Sequence, residues 1–229
     1  MDAWLQRRET ATYSTTQIYS GAPGGDIVNV PISHSSHPAL GKFGYPIYHA
    51  QKRSELRSWL EAYAHEAPGL WLCSWRSSQR PRCSEADFVE EALCFGWIDS
   101  TGSALDDDRS LQLLTPRRPK SSWTRLNRRR CADLESAGLM TDAGRRAIEV
   151  AKRNGWWSIY DDVEDEVEPT ELKRVLDAEP KARAAWDSFS ATARKAMLWW
   201  VISAAREETR RQRIREIVQR AERGEKARG

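Results

Sequence analysis

Strand-like stretches in this chain of 229 residues stop at Arg118, and from Ser121 onward the sequence reads as helix alone. Short alternating or apolar runs bounded by Gly, Pro and Ser mark the strands. The later segments instead repeat their apolar residues at helical spacing. Strands gathered in one part and helices in another predict an α+β fold: a small antiparallel sheet with packed helices, followed by a helical C-terminal segment. We divide the chain accordingly into an N-terminal extension over 1–43, an α+β core over 44–160 and a helical segment over 161–229. No internal repeat interrupts this order.

The extension contains "SGAPGGDIVNVPISHSSHPALG", dense in Gly, Pro and Ser and without a sustained period, although "IVNV" is a candidate edge strand. Further strands are expected in "YPIYHA", "LWLCSWR" (70–76) and "SLQLLTPRR" (110–118). Between them, "SELRSWLEAYAHE" (54–66) puts Leu56, Trp59, Leu60 and Tyr63 on one helical face, with Ser54 as its N-cap. Ser84 and Asp87 approach a capping box and open a second helix, which buries Phe88, Val89, Ala92 and Leu93 until Gly96 stops it. Ser121 or Ser122 begins the next helix and Gly138 ends it; Thr141 and Gly155 bound another. The acidic "DDVEDEVEP" (161–169) reads as a hinge. In the tail beyond it, Trp199 and Trp200 are adjacent and point about 100° apart on a helix.

Composition narrows the function classes. Apolar residues make up 40% of the chain and charged residues 30%, a balance that folds and stays in solution. No run of about 18 apolar residues exists, so no membrane partner is expected. The opening "MDAWLQRRETATYS" lacks the apolar stretch of a secretory signal, and the expected location is cytoplasmic. Cys73, Cys83, Cys94 and Cys131 form no CxxC pair and are read as free thiols; Cys94, at a helix C-terminal end where the dipole opposes a thiolate, is read as a packed one. His34 and His37 stand three apart but on no clear helix, so neither a metal nor a cofactor is assigned. A net charge of +3 argues only weakly for nucleic acid, and the basic run "RLNRRR" (125–130) reads as a solvated helix surface. Ile214, Ile217 and Val218 can dock on the core or on a second copy of the chain, which leaves a homodimer open.

Eleven tryptophans are the unusual count, enough to fill a core and still line a pocket. The candidate ligand-binding residues are Trp97, Asp99, Arg117, Arg118 and Lys120, with Ser121, Trp123 and Asn127 beside them. A Trp face stacks on planar groups. Asp99 accepts hydrogen bonds or, if burial raises its pKa, serves as acid or base. Arg117 or Arg118 offers a planar fork to a carboxylate or carbonyl oxygen. Lys120 precedes an expected helix N-terminus, where Ser121 and free N–H groups favour an anion. Each residue also has a structural reading: Trp97 and Trp123 as core anchors, Asp99 paired with an arginine of the next strand, "PKSSW" as a capped helix start.

"FVEEALCFGWIDS", "LDDDRS" and "TPRRPKSSWTRLNRRRCADLESAGLMTDAG" resemble the YdeI/OmpD-associated family, also called bacteriocin-protection proteins. The likeness is closest over 88–144, looser from Gly44 to Phe88, and resumes in "ATARKAMLWWVISAAREETRRQRI"; residues 1–43 have no counterpart. It implies an α+β core with a helical tail in a soluble bacterial protein linked to stress or toxin resistance, without implying a reaction. Relatives carry basic residues around the positions of Gly102–Ala104 and Leu113, which are small or apolar here and point to a less charged ligand.

Three readings follow. The first is a resistance-type protein that binds a small, partly planar metabolite in a Trp-lined pocket. The alternative is a cofactor-free enzyme for isomerisation, cyclisation, elimination or hydrolysis, with Asp99 as acid or base and Lys120 or an arginine steadying negative charge. The third is a nucleic-acid-associated protein using residues 117–130.

Overall fold

The computed structural model describes residues 14–19, 27–32, 37–78 and 80–228. His34 lies outside them. The described residues divide into two compact units: one ends at Ser121 and resumes over Leu126–Arg153, and the other takes Ser122–Arg125 and everything from Asn154. The fold is a mixed α+β one, with a small sheet, packed helices and a helical C-terminal stretch.

In the first unit, β1 (Ser14–Tyr19) and β2 (Ile27–Ile32) pair antiparallel, which makes "IVNV" part of a two-stranded ribbon. The main sheet holds β3 (Ile47–Tyr48), β4 (Leu70–Trp75), β5 (Trp97–Ala104) and β6 (Arg109–Pro116), in the order β3-β4-β6-β5. All of its pairings are antiparallel except the short parallel one of β3 with β4. The turn joining β5 to β6 is the "LDDD" segment, where Asp106 accepts from the Asp108 and Arg109 backbone N–H groups at 3.1 and 2.8 Å.

Pleating gives the sheet two different faces. Leu70, Leu72, Leu114 and Trp97 are nearly inaccessible on one face, against α1 (Arg53–Tyr63) and α2 (Glu85–Cys94). Trp97 meets Trp59 of α1 edge to face, with ring centroids 6.2 Å apart. Ile47, Trp71, Cys73, Leu111 and Leu113 form a second cluster with Tyr45. There the segment 41–45 lies on the sheet, and the Trp71 indole donates to the Lys42 carbonyl at 3.0 Å. Gly41 permits this approach: a Cβ there would stand 2.5 Å from a Trp71 ring carbon.

The helices show how local chemistry sets their ends. Ser84 and Asp87 form the expected reciprocal capping box on α2. Helix α1 starts two residues earlier than expected, with Lys52 rather than Ser54 at the cap and no side-chain bond to it. Glu91 on α2, 1% exposed, takes Arg53 at 2.6 Å and Arg57 at 3.1 Å from α1, so the helix pair is clamped by one buried carboxylate with two guanidinium partners. Helix α2 stops at Gly96 (φ +71°) because another helix is seated on its end. Thr141, just before α4 (Asp142–Arg153), donates from both its N–H (3.1 Å) and its hydroxyl (2.6 Å) to the Cys94 carbonyl. A Cβ on Gly144 would lie 2.3 Å from that same oxygen.

Helix α3 (Arg125–Ser136) begins later than either Ser121 or Ser122. The Arg125 N–H points at both oxygens of Glu164, each at 3.2 Å, so the acidic segment does the work expected of a serine cap.

That segment is no hinge. It forms the short α5 (Asp161–Glu164), and its carboxylates are spent on the second unit. Asp165 takes the Arg125 fork, Glu166 takes Arg194 at 2.8 Å, and Glu168 takes both Arg183 amino groups and the Trp186 indole, each at 2.8 Å. Helices α6 (Thr170–Ala178), α7 (Pro180–Ser188), α8 (Ala191–Ile202) and α9 (Glu207–Ala221) complete the unit. Their core includes Leu172, Leu176, Trp186, Met197 and Leu198. Ile214, Ile217 and Val218 are buried in this same core. Trp199 meets Trp156 and Tyr160 at 6.1 and 5.2 Å, and Trp200 lies under Arg213 and Arg228.

Candidate functional site

Strand β5 separates the residues that the sequence groups together. Alternate side chains go to opposite faces. Trp97 and Asp99 therefore share the α1/α2 side, and Ile98 and Ser100 the other. A register shift in the β5–β6 ladder between Asp99 and Gly102 marks a bulge where the two strands diverge.

On the face away from α1 and α2, a cavity of about 420 Å³ opens beneath the 41–45 segment. Its aromatic wall is Phe43 and Tyr45, whose ring centroids are 5.9 Å apart. Ile98, Leu113, Thr115 and Pro116 form the floor, and Arg118, Lys120 and Ser121 form the polar end. Arg118 and Lys120 are exposed, and neither guanidinium nor ammonium enters an ion pair among the described residues. Phe43 is 74% exposed and holds a left-handed backbone (φ 65°, ψ 8°), a conformation that costs a non-glycine residue on the order of 1 kcal/mol.

A second cavity of about 370 Å³ lies on the opposite face, and this one receives Asp99. Arg76, Arg82 and Glu85 also line it, together with the polar Ser74, Ser103, Ser110 and Gln112. Leu72, Trp75, Phe88 and Leu111 give it an apolar side. Asp99 is half-buried and makes no side-chain hydrogen bond among the described residues.

The remaining predicted residues have structural partners. Trp97 is 2% exposed, packed on Trp59. Arg117 donates to the Trp97 carbonyl at 3.2 Å and to the Ser121 hydroxyl at 3.4 Å, and so fastens the end of β5 to the loop after β6. Burial pulls its pKa down to about 10, against the opposing pull of Cys131 and Asp99. Trp123 is 1% exposed and stacks near Trp157 at 5.0 Å within the second unit. Asn127 accepts from Arg130 at 3.4 Å. Thus Arg118, Lys120 and Ser121 come together in one cavity, while Asp99 and Lys120, paired as acid–base machinery in the enzyme reading, line different ones. The aromatic lining of the first cavity is Phe and Tyr rather than Trp, and Trp75 lines the second.

The thiols offer no nucleophile. All four are free and buried, and burial raises Cys94 to about 11 and Cys83 to about 12. No helix among the described residues is long and apolar enough to cross a membrane.

Two separate stretches of the chain match known families. Residues 48–147 match a domain of unknown function (DUF8412). Residues 167–224 match the family described as bacteriocin-protection, YdeI or OmpD-associated. That second likeness spans only about 60 of 229 residues, all of them in the helical tail, whereas the motifs over 88–144 fall inside the first match. No curated protein and no solved structure matches the chain.

Phe43, Tyr45 and Ile98 are the cavity residues that sequence reasoning missed. Period-two alternation through "WIDS" would have found Ile98; nothing in the aperiodic segment before Gly44 signals Phe43 except an exposed aromatic beside a glycine.

Proposed function

We propose that this chain is a resistance-type binding protein that holds a small, partly planar, anionic molecule in the cavity beneath residues 41–45. The observation that carries the reading is the strained, exposed Phe43 at the mouth of a cavity whose far end holds Arg118 and Lys120. A planar group lies against Phe43 and Tyr45, above the apolar floor of Ile98 and Leu113, and its charge meets the two cations and the Ser121 hydroxyl. A volume of about 420 Å³ is in the range of small-molecule sites. The tail's match to a family described as bacteriocin-protection supports a protective role rather than a metabolic one.

The test is native and denaturing mass spectrometry of the purified chain after incubation with extract of its host. A non-covalent mass should be retained by the wild type and by Asp99→Asn, and lost from the Arg118→Ala/Lys120→Ala double variant. A mass kept equally by the double variant, or no retained mass at all, sinks the proposal. An extract component consumed by the wild type but spared by Asp99→Asn would replace it with the enzyme reading.

A further inference from the structure

The cavity beneath residues 41–45 is assembled from two parts of the sequence. Its floor and its cationic end, from Ile98 to Ser121, lie inside the stretch that matches the domain of unknown function, whereas Phe43 and Tyr45 lie before it. Those two residues belong to a small hairpin. The Gly41 N–H donates to the Tyr45 carbonyl at 2.8 Å, the Ile47 N–H donates to the Ala39 carbonyl at 3.0 Å, and Leu40 bridges Pro46. Phe43 and Gly44 are the central residues of its turn, and both are left-handed, with φ of 65° and 70°. Turns of this kind ordinarily take Asn-Gly, so the ring at their first position is not a requirement of the backbone.

Two glycines seat the hairpin. The close approach of Gly41 to Trp71 is matched at Gly69, where a Cβ would stand 2.4 Å from two carbons of the Tyr45 ring. Tyr45 is thereby held flat against the chain, and the Phe43 ring stands 5.9 Å from it at an inclination of 50°. Two rings inclined in this way leave room for a third in tilted or offset contact. The floor is different in kind. Ile98 and Leu113 are aliphatic, and they accept a saturated or an aromatic skeleton by area alone. No carboxylate lines the cavity, and Arg118 and Lys120 attract an acid group whatever carries it.

From this division of labour we infer that the hairpin over 39–47 is the selectivity element of the site, and that the ligand class is an aromatic acid rather than an aliphatic acid of equal charge. The inference rests on the binding reading proposed above. It adds that the matched domain supplies the grip on the anion, while Phe43 and Tyr45 supply the choice of skeleton.

The experiment titrates the full chain by calorimetry with 2-naphthoate, with decahydro-2-naphthoate, its saturated counterpart of the same charge, and with the uncharged 2-naphthamide. The wild type should bind 2-naphthoate tighter than the saturated acid by about three- to ten-fold, the worth of one aromatic contact. Phe43→Leu, which keeps an apolar side chain, should bring that ratio close to one and leave the preference for the acid over the amide in place. Phe43→Asn suits the left-handed turn and should give the same result without disturbing the hairpin. The Arg118→Ala/Lys120→Ala variant should bind both acids more weakly and keep the aromatic preference. Equal binding of the two acids by the wild type, or an aromatic preference retained by both Phe43 variants, overturns the inference and leaves the binding reading standing. Failure of 2-naphthoate to bind, or binding indifferent to the loss of Arg118 and Lys120, overturns both.

Discussion

The acidic segment 161–168 and the wall around Asp99 use the same side-chain chemistry in opposite ways. In the segment, Glu164, Asp165, Glu166 and Glu168 each take an arginine side chain or a backbone donor of the helical unit. Around Asp99, carboxylates and guanidinium groups share a cavity and leave each other alone. Charges that are satisfied inside the chain hold helices in register. Around Asp99, Arg76, Arg82 and Glu85 are exposed, so water satisfies them and they hold nothing in register. The difference is one of accounting within the fold, and composition alone is blind to it.

The sharpest way to break the comparison is at Glu168, whose side chain is 17% exposed and serves two Arg183 amino groups and the Trp186 indole. Glu168→Ala leaves the buried Trp186 indole N–H without its acceptor and the Arg183 guanidinium with Asp187 and Asp177 only. It should cost about 3 kcal/mol in chemical denaturation. A loss below about 1 kcal/mol, the scale of an ordinary surface pair, would show that the segment's bonds are decorative.

Much of this was legible in the sequence, and the failures have physical causes. Helices α2 and α4 follow from apolar spacing and from Ser84, Gly96, Thr141 and Gly155, because caps and breakers act within a few residues. Strand β5 is not legible because "WIDSTGSA" is poor in strand-forming side chains and becomes a strand by pairing with β6. Its alternation is hidden with it, so the sequence places Asp99 beside Lys120, which lines the other face. The start of α3 is illegible for a related reason: its acceptor, Glu164, lies 39 residues downstream, beyond any local rule.

A smaller effect should appear with pH at His49, which packs edge to face on Trp75 at 5.0 Å. Burial, then the charges of Arg109 and His37, lowers its pKa from 6.5 to about 4, with Asp106 pulling weakly the other way. The unfolded chain therefore binds this proton below about pH 6.5, while the folded chain resists it until about pH 4. Stability should be full above pH 6.5 and fall on acidification through that window, on the order of 2–3 kcal/mol. Denaturation midpoints of wild type and His49→Phe between pH 4 and pH 7.5 would check this. An equal slope in the variant would move the cause to the carboxylates of the ion pairs.

The smallest expected effect sharpens the comparison most. Asp99→Asn keeps the shape of the side chain, removes its charge and breaks no hydrogen bond among the described residues. If Asp99 contributes nothing to holding the fold, the variant should unfold within about 0.5 kcal/mol of wild type, as neutral substitutions do. A slight gain is the more informative result, because a half-buried carboxylate without a donor is itself a cost that the amide would relieve. A loss beyond 1 kcal/mol would mean that Asp99 serves Arg117 through the electrostatic contact between them. Asp99 would then belong with the spent charges of the acidic segment, and the cavity would hold only Glu85 opposite Arg76 and Arg82.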